Sequence, residues 1–155
     1  MFKNKNFIFG IIVIVCALID QGSKFFIDNT LALYENLLII PNVLSFEKVY
    51  NTGAAFSILQ NNTVFLVLIA ILTIISILIF LIIKKNNINS YENISFGFIC
   101  AGALGNLIDR ICFSYVIDFI RLDFIDFPIF NIADILINIG VIILIVNIFV
   151  QKNDK

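Results

Sequence analysis

Four long apolar runs limit what this chain can fold into more than any other feature of its sequence. They cover about residues 7–27, 63–83, 94–112 and 128–150. Each is close to the roughly 20 residues that a helix needs to cross the hydrocarbon core of a bilayer. Only 14% of the residues are charged, where a soluble domain has about 25%. The sequence therefore predicts a mainly α-helical membrane protein with four transmembrane helices, built as a single domain over residues 1–155.

Lysines near the ends of these runs predict the orientation of the helices. They lie before the first run, after the second and after the fourth: Lys3, Lys5, Lys84, Lys85, Lys152 and Lys155. Because loops rich in Lys and Arg stay in the cytoplasm, both termini and the middle loop are expected inside. The loops at about 28–62 and 113–127 are then outside. The first run is expected to be a retained helix, since bulky residues precede Cys16 and no small-x-small cleavage site follows before Asp20.

The composition excludes several kinds of chemistry. There is no histidine, which excludes imidazole metal sites and Ser-His or Cys-His catalysis. Cys16, Cys100 and Cys112 have no CxxC spacing and lie in or near apolar runs, so we expect three small buried hydrophobic residues. No basic patch points to nucleic acid. No metal site and no cofactor are expected.

The first outer loop is too long for a simple turn. The apolar stretches Leu37–Ile40 and Val43–Phe46 flank Pro41-Asn42, a turn signal, and Glu47–Tyr50 continues as an extended segment. These segments predict a small extracytoplasmic β-sheet. The stretch Ala54–Leu59 is expected to form a short helix lying on the membrane.

Charged residues gather at the predicted outer ends of the runs. They are Asp20, Lys24, Asp109, Arg110, Asp118 and Asp134. An ionised carboxylate near the bilayer centre costs roughly 3 kcal/mol, so such residues are kept where they face a partner or a water-filled site. Their placement at one face of the membrane predicts an outward-facing polar site.

Two of the polar groups have an ordinary structural interpretation as well as a functional one. Asp20 and Lys24 are four residues apart on one helix face, and they are either part of a site or an ion pair that neutralises itself while Lys24 extends outward. Asn51 and Gly53 either form an ordinary turn or offer an amide and close backbone approach to a peptide.

The segment Gly102–Arg110 combines small and polar residues. Gly102 and Gly105 favour close helix packing, and Asn106 shares one helix face with Asp109 and Arg110. The alternatives are a polar network or a simple interfacial Asp109–Arg110 ion pair.

Asp118 and Asp134 are the most informative acids. Asp118 is either a solvated loop acid or a site residue. Asp134 is either a helix N-terminal acid favoured by the helix dipole or a site residue. If the fold brings the two together, they can share one proton and activate a water molecule.

Five segments in order match a known family. They are Asp20-Gln-Gly-Ser-Lys24, Asn51-Thr-Gly-Ala-Ala-Phe56, Gly102-Ala-Leu-Gly-Asn-Leu-Ile-Asp-Arg110, Val116-Ile-Asp-Phe119 and Phe130-Asn-Ile-Ala-Asp134. In this order and spacing they closely resemble the bacterial lipoprotein signal peptidases (signal peptidase II), over nearly the whole chain. The resemblance implies an aspartic endopeptidase of the bacterial plasma (inner) membrane. It would cut prolipoproteins before a diacylglyceryl-modified cysteine, work among membrane lipids and bind globomycin-type inhibitors.

The resemblance also implies roles for individual residues. Asp118 and Asp134 would be the catalytic pair. Residues that shape or support the site would be Asp20, Lys24, Asn51, Gly53, Gly102, Gly105, Asn106, Asp109, Arg110, Asn131 and Ala133. Ser114 departs from the pattern, since the family often has glycine there, which bears on the conformation of that loop.

Two other functions fit parts of the pattern. Intramembrane acids with Lys and Arg also form proton relays in transporters and channels. A relay leaves polar residues along the depth of a span, but here the second run is uncharged and, like the inner halves of the other runs, almost bare of polar residues. A non-catalytic membrane scaffold is the other alternative, and it would not require both Asp118 and Asp134.

Overall fold

The computed structural model describes residues 2–54, 58–84 and 87–153. In chain order its elements are α1 (Phe2–Thr30), β1 (Asn36–Ile40), β2 (Leu44–Asn51), α2 (Thr63–Ile83), α3 (Ser90–Phe113), β3 (Val116–Leu122) and α4 (Ile132–Asn153). Within these residues, four helices are long and apolar enough to cross a membrane. The predicted fold class, a mainly helical multi-pass membrane protein with a small sheet, is confirmed.

All three strands lie at one end of the helices. β1 and β2 connect the end of α1 to the start of α2, while β3 connects the end of α3 to the start of α4. We call this the sheet end. The start of α1, the end of α2, the start of α3 and the end of α4 lie at the other end. Helix α3 packs against each of the other three helices, and its side chains are the most buried of the four.

Helix α3 begins earlier than the apolar run that predicted it. Asn89 and Glu92 form a capping box at its start: the Asn89 side chain accepts a hydrogen bond from Glu92 N at 2.8 Å, and the Glu92 side chain accepts one from Asn89 N at 3.0 Å. These bonds satisfy amides that have no partner within the helix. The helix therefore extends into the polar segment before residue 94.

Helix α4 begins at Ile132 rather than near Pro128, so the start predicted for the fourth span is corrected. Phe130 forms a β-bridge with Ile120 of β3, with N–H to O hydrogen bonds of 2.8 and 3.1 Å. Residues committed to extended pairing cannot also start a helix. The apolar character of Pro128–Phe130 therefore predicted helix where the chain is extended.

The sheet is antiparallel in the order β1-β2-β3. The sheet predicted in the first outer loop is present: β1 and β2 form a hairpin, and Asn42 in its turn has a φ of 59°. The third strand was not predicted, because the sequence assigned a sheet to the first outer loop alone. Pairing of β2 with β3 places Val49 opposite Asp118 and Asn51 opposite Val116. This register brings the first and second loops together at the sheet end.

The sheet packs on the end of α1 through an apolar cluster. Ile27 of α1 and Leu31, just after its end, contact Ile117 and Phe119 of β3, and all four are buried. Phe46 adds an edge-to-face contact with Phe119, with ring centroids 5.5 Å apart. Since side chains alternate along a strand, Asp118 points away from this cluster, toward α3 and α4.

Two further predictions have mixed outcomes. Of the cysteines, Cys100 is buried and Cys16 partly buried, but Cys112 is exposed. The last turn of α3 is exposed as a whole, so the prediction of a buried Cys112 is wrong. The predicted short helix at Ala54–Leu59 falls partly on residues 55–57, which lie outside the described residues, and residues 58–61 form turns.

Candidate active site

The sequence-predicted polar residues meet at the sheet end around one cavity of about 680 Å³. Asp118 of β3 and Asp134 of the first turn of α4 both line it. Asn51, Asn106 and Arg110 line the same cavity. Strands, helix ends and helix starts thus contribute to one site, although these residues are far apart in sequence.

Asn131 joins the two carboxylates. Its Nδ2 donates to Asp118 Oδ1 at 2.6 Å, and its backbone N–H donates to Asp134 Oδ2 at 3.2 Å. Asn131 is fully buried. One residue therefore fixes the position of both acids.

The start of α4 explains why Asp134 occupies this place. Asn131 Oδ1 accepts a hydrogen bond from Asp134 N at 3.1 Å, and the Asp134 carboxylate accepts the one from Asn131 N. This reciprocal pair is a capping box with aspartate in the third helical position. Asp134 is therefore a helix N-terminal acid, as one of its two interpretations predicted, and it also lines the cavity.

The carboxylate of Asp118 is held on both of its oxygens. Asn51 Nδ2 donates to Asp118 Oδ2 at 2.8 Å, and Asn131 holds the other oxygen. The Asn51 Oδ1 accepts from Gly53 N at 2.8 Å, and an Arg110 guanidinium N–H donates to Gly53 O at 2.9 Å. Asp118 is only 3% exposed, so its interpretation as a solvated loop acid is wrong.

The environment of Asp118 favours its protonated form. Burial, and next the negative charge of Asp134, raise the pKa of Asp118 to about 7. The hydrogen bonds from Asn51 and Asn131 lower this pKa. Because the two acids interact, the proton belongs to the pair rather than to one residue alone. The pair can hold one proton near neutral pH.

Asn106 links the aspartate pair to a buried cluster of charges formed by Asp20, Lys24 and Asp109, which we call the charged layer. Its Nδ2 donates to Asp134 Oδ1 at 2.9 Å. Its Oδ1 accepts from Asn131 Nδ2 at 3.1 Å and from Lys24 Nζ at 2.9 Å. The amide of Asn106 therefore has both ends engaged, which fixes its orientation.

Lys24 is buried between two carboxylates. Its Nζ lies 2.9 Å from Asp20 Oδ2 and 3.1 Å from Asp109 Oδ2. The predicted Asp20–Lys24 pair is present, but Lys24 is only 1% exposed, so the expectation that it extends outward is wrong. Asp109 pairs with Lys24, and the simple Asp109–Arg110 pair is not the arrangement found among the described residues.

The two acids around Lys24 also bind backbone amides. Asp20 Oδ1 accepts from Ala133 N at 2.8 Å, and Asp109 Oδ2 accepts from Ile117 N at 3.1 Å. Buried charges are tolerated when they are paired and hydrogen-bonded. These bonds connect α1 to the start of α4, and α3 to β3, so they hold the elements that carry Asp134 and Asp118.

Known proteins share this sequence and fold. The sequence model of the family described as "Signal peptidase (SPase) II" matches residues 12–150. The chain belongs to the signal peptidase II family. The resemblance noted in the sequence is confirmed.

Individual relatives agree with this assignment. A lipoprotein signal peptidase of Streptococcus pyogenes serotype M5 is 38% identical over 151 residues, covering 97% of each chain. One of Microcystis aeruginosa is 38% identical over 154 residues, covering 99% of this chain and 98% of that protein.

Two solved bacterial membrane enzymes have the same fold. One, determined by the in meso method at 2.3 Å, aligns with a TM-score of 0.87 and 33% identity over 95% of this chain and 90% of that chain. Another, determined at 1.9 Å, aligns with a TM-score of 0.81 and 34% identity over 90% and 91%.

Membership in the signal peptidase II family establishes the general function. The protein is a membrane peptidase that removes the signal peptides of lipoproteins, and prolipoproteins are its substrates. An aspartic type of mechanism fits the family. The transporter and scaffold alternatives are thereby set aside.

Two glycines of this signal peptidase II chain allow α3 to approach its neighbours. A Cβ at Gly105 would overlap the Asp20 carboxylate, and a Cβ at Gly102 would overlap Ala133 O and lie 2.7 Å from Ile137 Cγ1. Any larger residue would push α1 or α4 away. These two positions set the spacing of the helices that carry the charged layer.

Sequence reasoning missed two residues of the site. Gln21 Nε2 donates to Asp109 Oδ1 at 2.8 Å and to Gly105 O at 3.1 Å, and Asn138 lines the cavity four residues after Asp134. Both are amides inside apolar runs, and that signal was available in the sequence. Among the described residues, no group of three or more His, Cys, Asp or Glu is arranged to hold a metal ion.

Proposed function

We propose that Asp118 and Asp134 are the catalytic pair of an aspartic endopeptidase that cuts prolipoproteins just before the diacylglyceryl-modified cysteine. The observation that carries this proposal is that both carboxylates line one cavity and are hydrogen-bonded to the same residue, Asn131. An acid pair that shares one proton can supply both a base and an acid for peptide hydrolysis.

In this mechanism the proton that the pair shares lies on Asp118 when the substrate binds, in keeping with the raised pKa of Asp118, about 7. Ionised Asp134 takes a proton from a water molecule as the water oxygen bonds to the scissile carbonyl carbon. Neutral Asp118 hydrogen-bonds the carbonyl oxygen and stabilises the charge that develops there. The C–N bond then breaks, and the departing amine nitrogen takes up the proton held by Asp134.

The remaining residues of the site would keep this geometry. Asn51, Asn106 and Asn131 hold three of the four carboxylate oxygens with side-chain amides, which limits the reorganisation needed during the reaction. Arg110 holds the carbonyl of Gly53, and this contact would position the loop beside the bound peptide.

The proposed location is the bacterial plasma (inner) membrane, with a single peptidase domain and the site at the outer face. Lysines lie near the end of the helices opposite the sheet, as at Lys84, and cytoplasmic ends are rich in Lys and Arg. Both termini would then be cytoplasmic. The acyl chains of the substrate would lie among membrane lipids beside the helices, so that each buried methylene, worth about 0.8 kcal/mol, helps recruit the substrate.

Cleavage of a lipid-modified prolipoprotein by the purified protein tests this proposal. Asp118→Asn and Asp134→Asn should each lower kcat by at least about a thousandfold, because asparagine can neither accept nor supply the proton. A globomycin-type inhibitor should block the wild type, and the unmodified precursor should be cut far more slowly. Folding of both variants is checked by thermal unfolding in detergent. Turnover at the wild-type rate by either variant would refute the aspartate-pair mechanism.

A further inference from the structure

We propose that Asn138 is a substrate-positioning residue whose side-chain amide donates a hydrogen bond to a carbonyl oxygen of the bound prolipoprotein. The inference rests on the proposed function, because it places the substrate in the cavity of the aspartate pair. The proposed contact lies further along α4 than the aspartate pair, away from the sheet end. Asn138 itself takes no part in the proposed chemical step.

The position of Asn138 follows from the helix. It lies four residues after Asp134 in α4, hence on the same helix face and roughly 6 Å further along the axis. Asp134, Ile135, Ile137 and Asn138 all line the cavity. The cavity therefore continues from the aspartate pair along α4, within the span Ile132–Gln151.

The amide of Asn138 is unpaired in the part of the chain that the structure describes. No side chain or backbone group there hydrogen-bonds it, and its neighbours Ile137 and Ile139 are apolar. The Asn138 side chain is exposed, and within a membrane span an exposed amide without a partner is unfavourable where it meets hydrocarbon, which offers no donors or acceptors. By contrast, Asn106 and Asn131 each have their amides engaged. The Asn138 amide is therefore free to hydrogen-bond a ligand that enters the cavity.

A carbonyl oxygen is the acceptor that a prolipoprotein would present at this depth. A signal-peptide helix that ends before the scissile bond leaves its last backbone carbonyls without intrahelical donors. The diacylglyceryl group carries ester carbonyls between its glycerol and its acyl chains. Both sources offer the same chemistry, an unpaired carbonyl oxygen in an apolar surrounding, and the Asn138 amide N–H is a matching donor.

The expected effect is on binding rather than on the chemical step. Asn138→Leu removes the donor at nearly constant size, and loss of one neutral hydrogen bond should raise KM about fivefold. Because the contact is the same before and during the reaction, kcat should stay within about twofold of the wild type. Asn138→Ser keeps a hydroxyl donor and should recover part of the loss in KM.

Asn29→Leu is the matched control. Asn29 is an exposed asparagine near the sheet end of α1, its Nδ2 donates to Phe25 O, and it does not line the cavity. The same substitution there should leave KM and kcat unchanged. An equal rise of KM in both variants would show a general effect of added hydrophobicity and would overturn the proposal.

The source of the carbonyl is decided with two substrates, one with ester-linked and one with ether-linked acyl chains. If the rise in KM caused by Asn138→Leu disappears with the ether-linked substrate, Asn138 binds an ester carbonyl. If the rise persists, it binds a peptide carbonyl. An unchanged KM for the ester-linked substrate would mean that Asn138 contacts only water or lipid, and the proposal would be wrong.

Binding in a catalytically blocked background separates this inference from the mechanism. The Kd of the lipid-modified substrate is measured for Asp118→Asn with and without Asn138→Leu, and it should rise about fivefold with the second change. If Asp118→Asn still cleaves the substrate, the aspartate mechanism is wrong. The effect of Asn138→Leu is then judged from the KM of the two proteins instead of from Kd. An unchanged Kd together with normal loss of cleavage in Asp118→Asn would overturn only the role of Asn138.

Discussion

At the scale of single residues, burial decides the behaviour of Asp118. It lies in β3 between Ile117 and Phe119, which are 4% and 3% exposed, and it faces the carboxylate of Asp134 across the cavity. Burial and that negative charge raise the pKa of Asp118 to about 7. In the proposed mechanism, Asp118 would lose its proton as the pH rises through this value and would then no longer hydrogen-bond the substrate carbonyl.

We therefore predict that kcat falls as the pH rises through about 7. The sign follows from the raised pKa, because the active form is the protonated one. Asn51→Ala should move this alkaline limb to higher pH, since the Asn51 hydrogen bond lowers the pKa of Asp118. The measurement is kcat for wild type and variant between about pH 5 and pH 9. A rate independent of pH over the upper half of that range would contradict the assignment.

At the scale of secondary-structure elements, close packing of α3 on α1 holds the charged layer together. The backbone of Gly105 lies against the Asp20 carboxylate, where a Cβ would overlap Asp20 Oδ2. We predict that Gly105→Ala destabilises the protein by about 1–3 kcal/mol, because the packed side chains must shift. It should lower Tm in detergent and reduce cleavage.

Gly22 provides the matched control for this prediction. It lies in α1 one turn before Phe26, and a Cβ there would meet nothing within 4 Å. Gly22→Ala should leave cleavage unchanged and stabilise the helix by up to about 1 kcal/mol, since alanine favours helix. Equal loss of Tm in the two variants would show that packing around Gly105 is not the cause.

The end of α3 shows why glycine, which the resemblance implies at position 114, would suit that position. Ser114 is the C-cap and has a φ of 67°, in the left-handed region that glycine adopts without strain. Its carbonyl accepts a hydrogen bond from Thr63 Oγ1 at 3.0 Å. We predict that Ser114→Gly keeps the loop and raises stability by about 1 kcal/mol, measured as a higher Tm with unchanged KM. A lower Tm would show that the serine side chain stabilises the loop.

At the scale of the whole molecule, the sheet and the site share one end of the helices, and the α2–α3 connection lies at the other. If the sheet end faces outward, a reporter fused near Asn42 should read outside, while fusions after Lys85 and at the C-terminus should read cytoplasm. Reporter activity in intact cells measures this directly. A cytoplasmic signal from the Asn42 fusion would place the site on the wrong face for exported prolipoproteins.

The sequence by itself determined that there are four spans, that the first outer loop forms a sheet, and at which end of the helices the polar residues gather. Long apolar runs require a bilayer, and buried charge is too unfavourable to be scattered along a span, so these features can be deduced from local pattern alone. The ordered motifs determined the family as well, including the positions of Asp118 and Asp134.

Only the tertiary structure decided which polar groups pair. Strand β3 exists because Val116–Leu122 pairs with β2, and Lys24 stays buried because Asp20 and Asp109 both reach it. Gln21 and Asn138 belong to the site only because α3 and the cavity lie beside them. Each of these outcomes, apart from the Asp20–Lys24 pair within one helix, depends on contacts between distant segments. Local periodicity specifies which face of an element is polar but not which distant element that face meets.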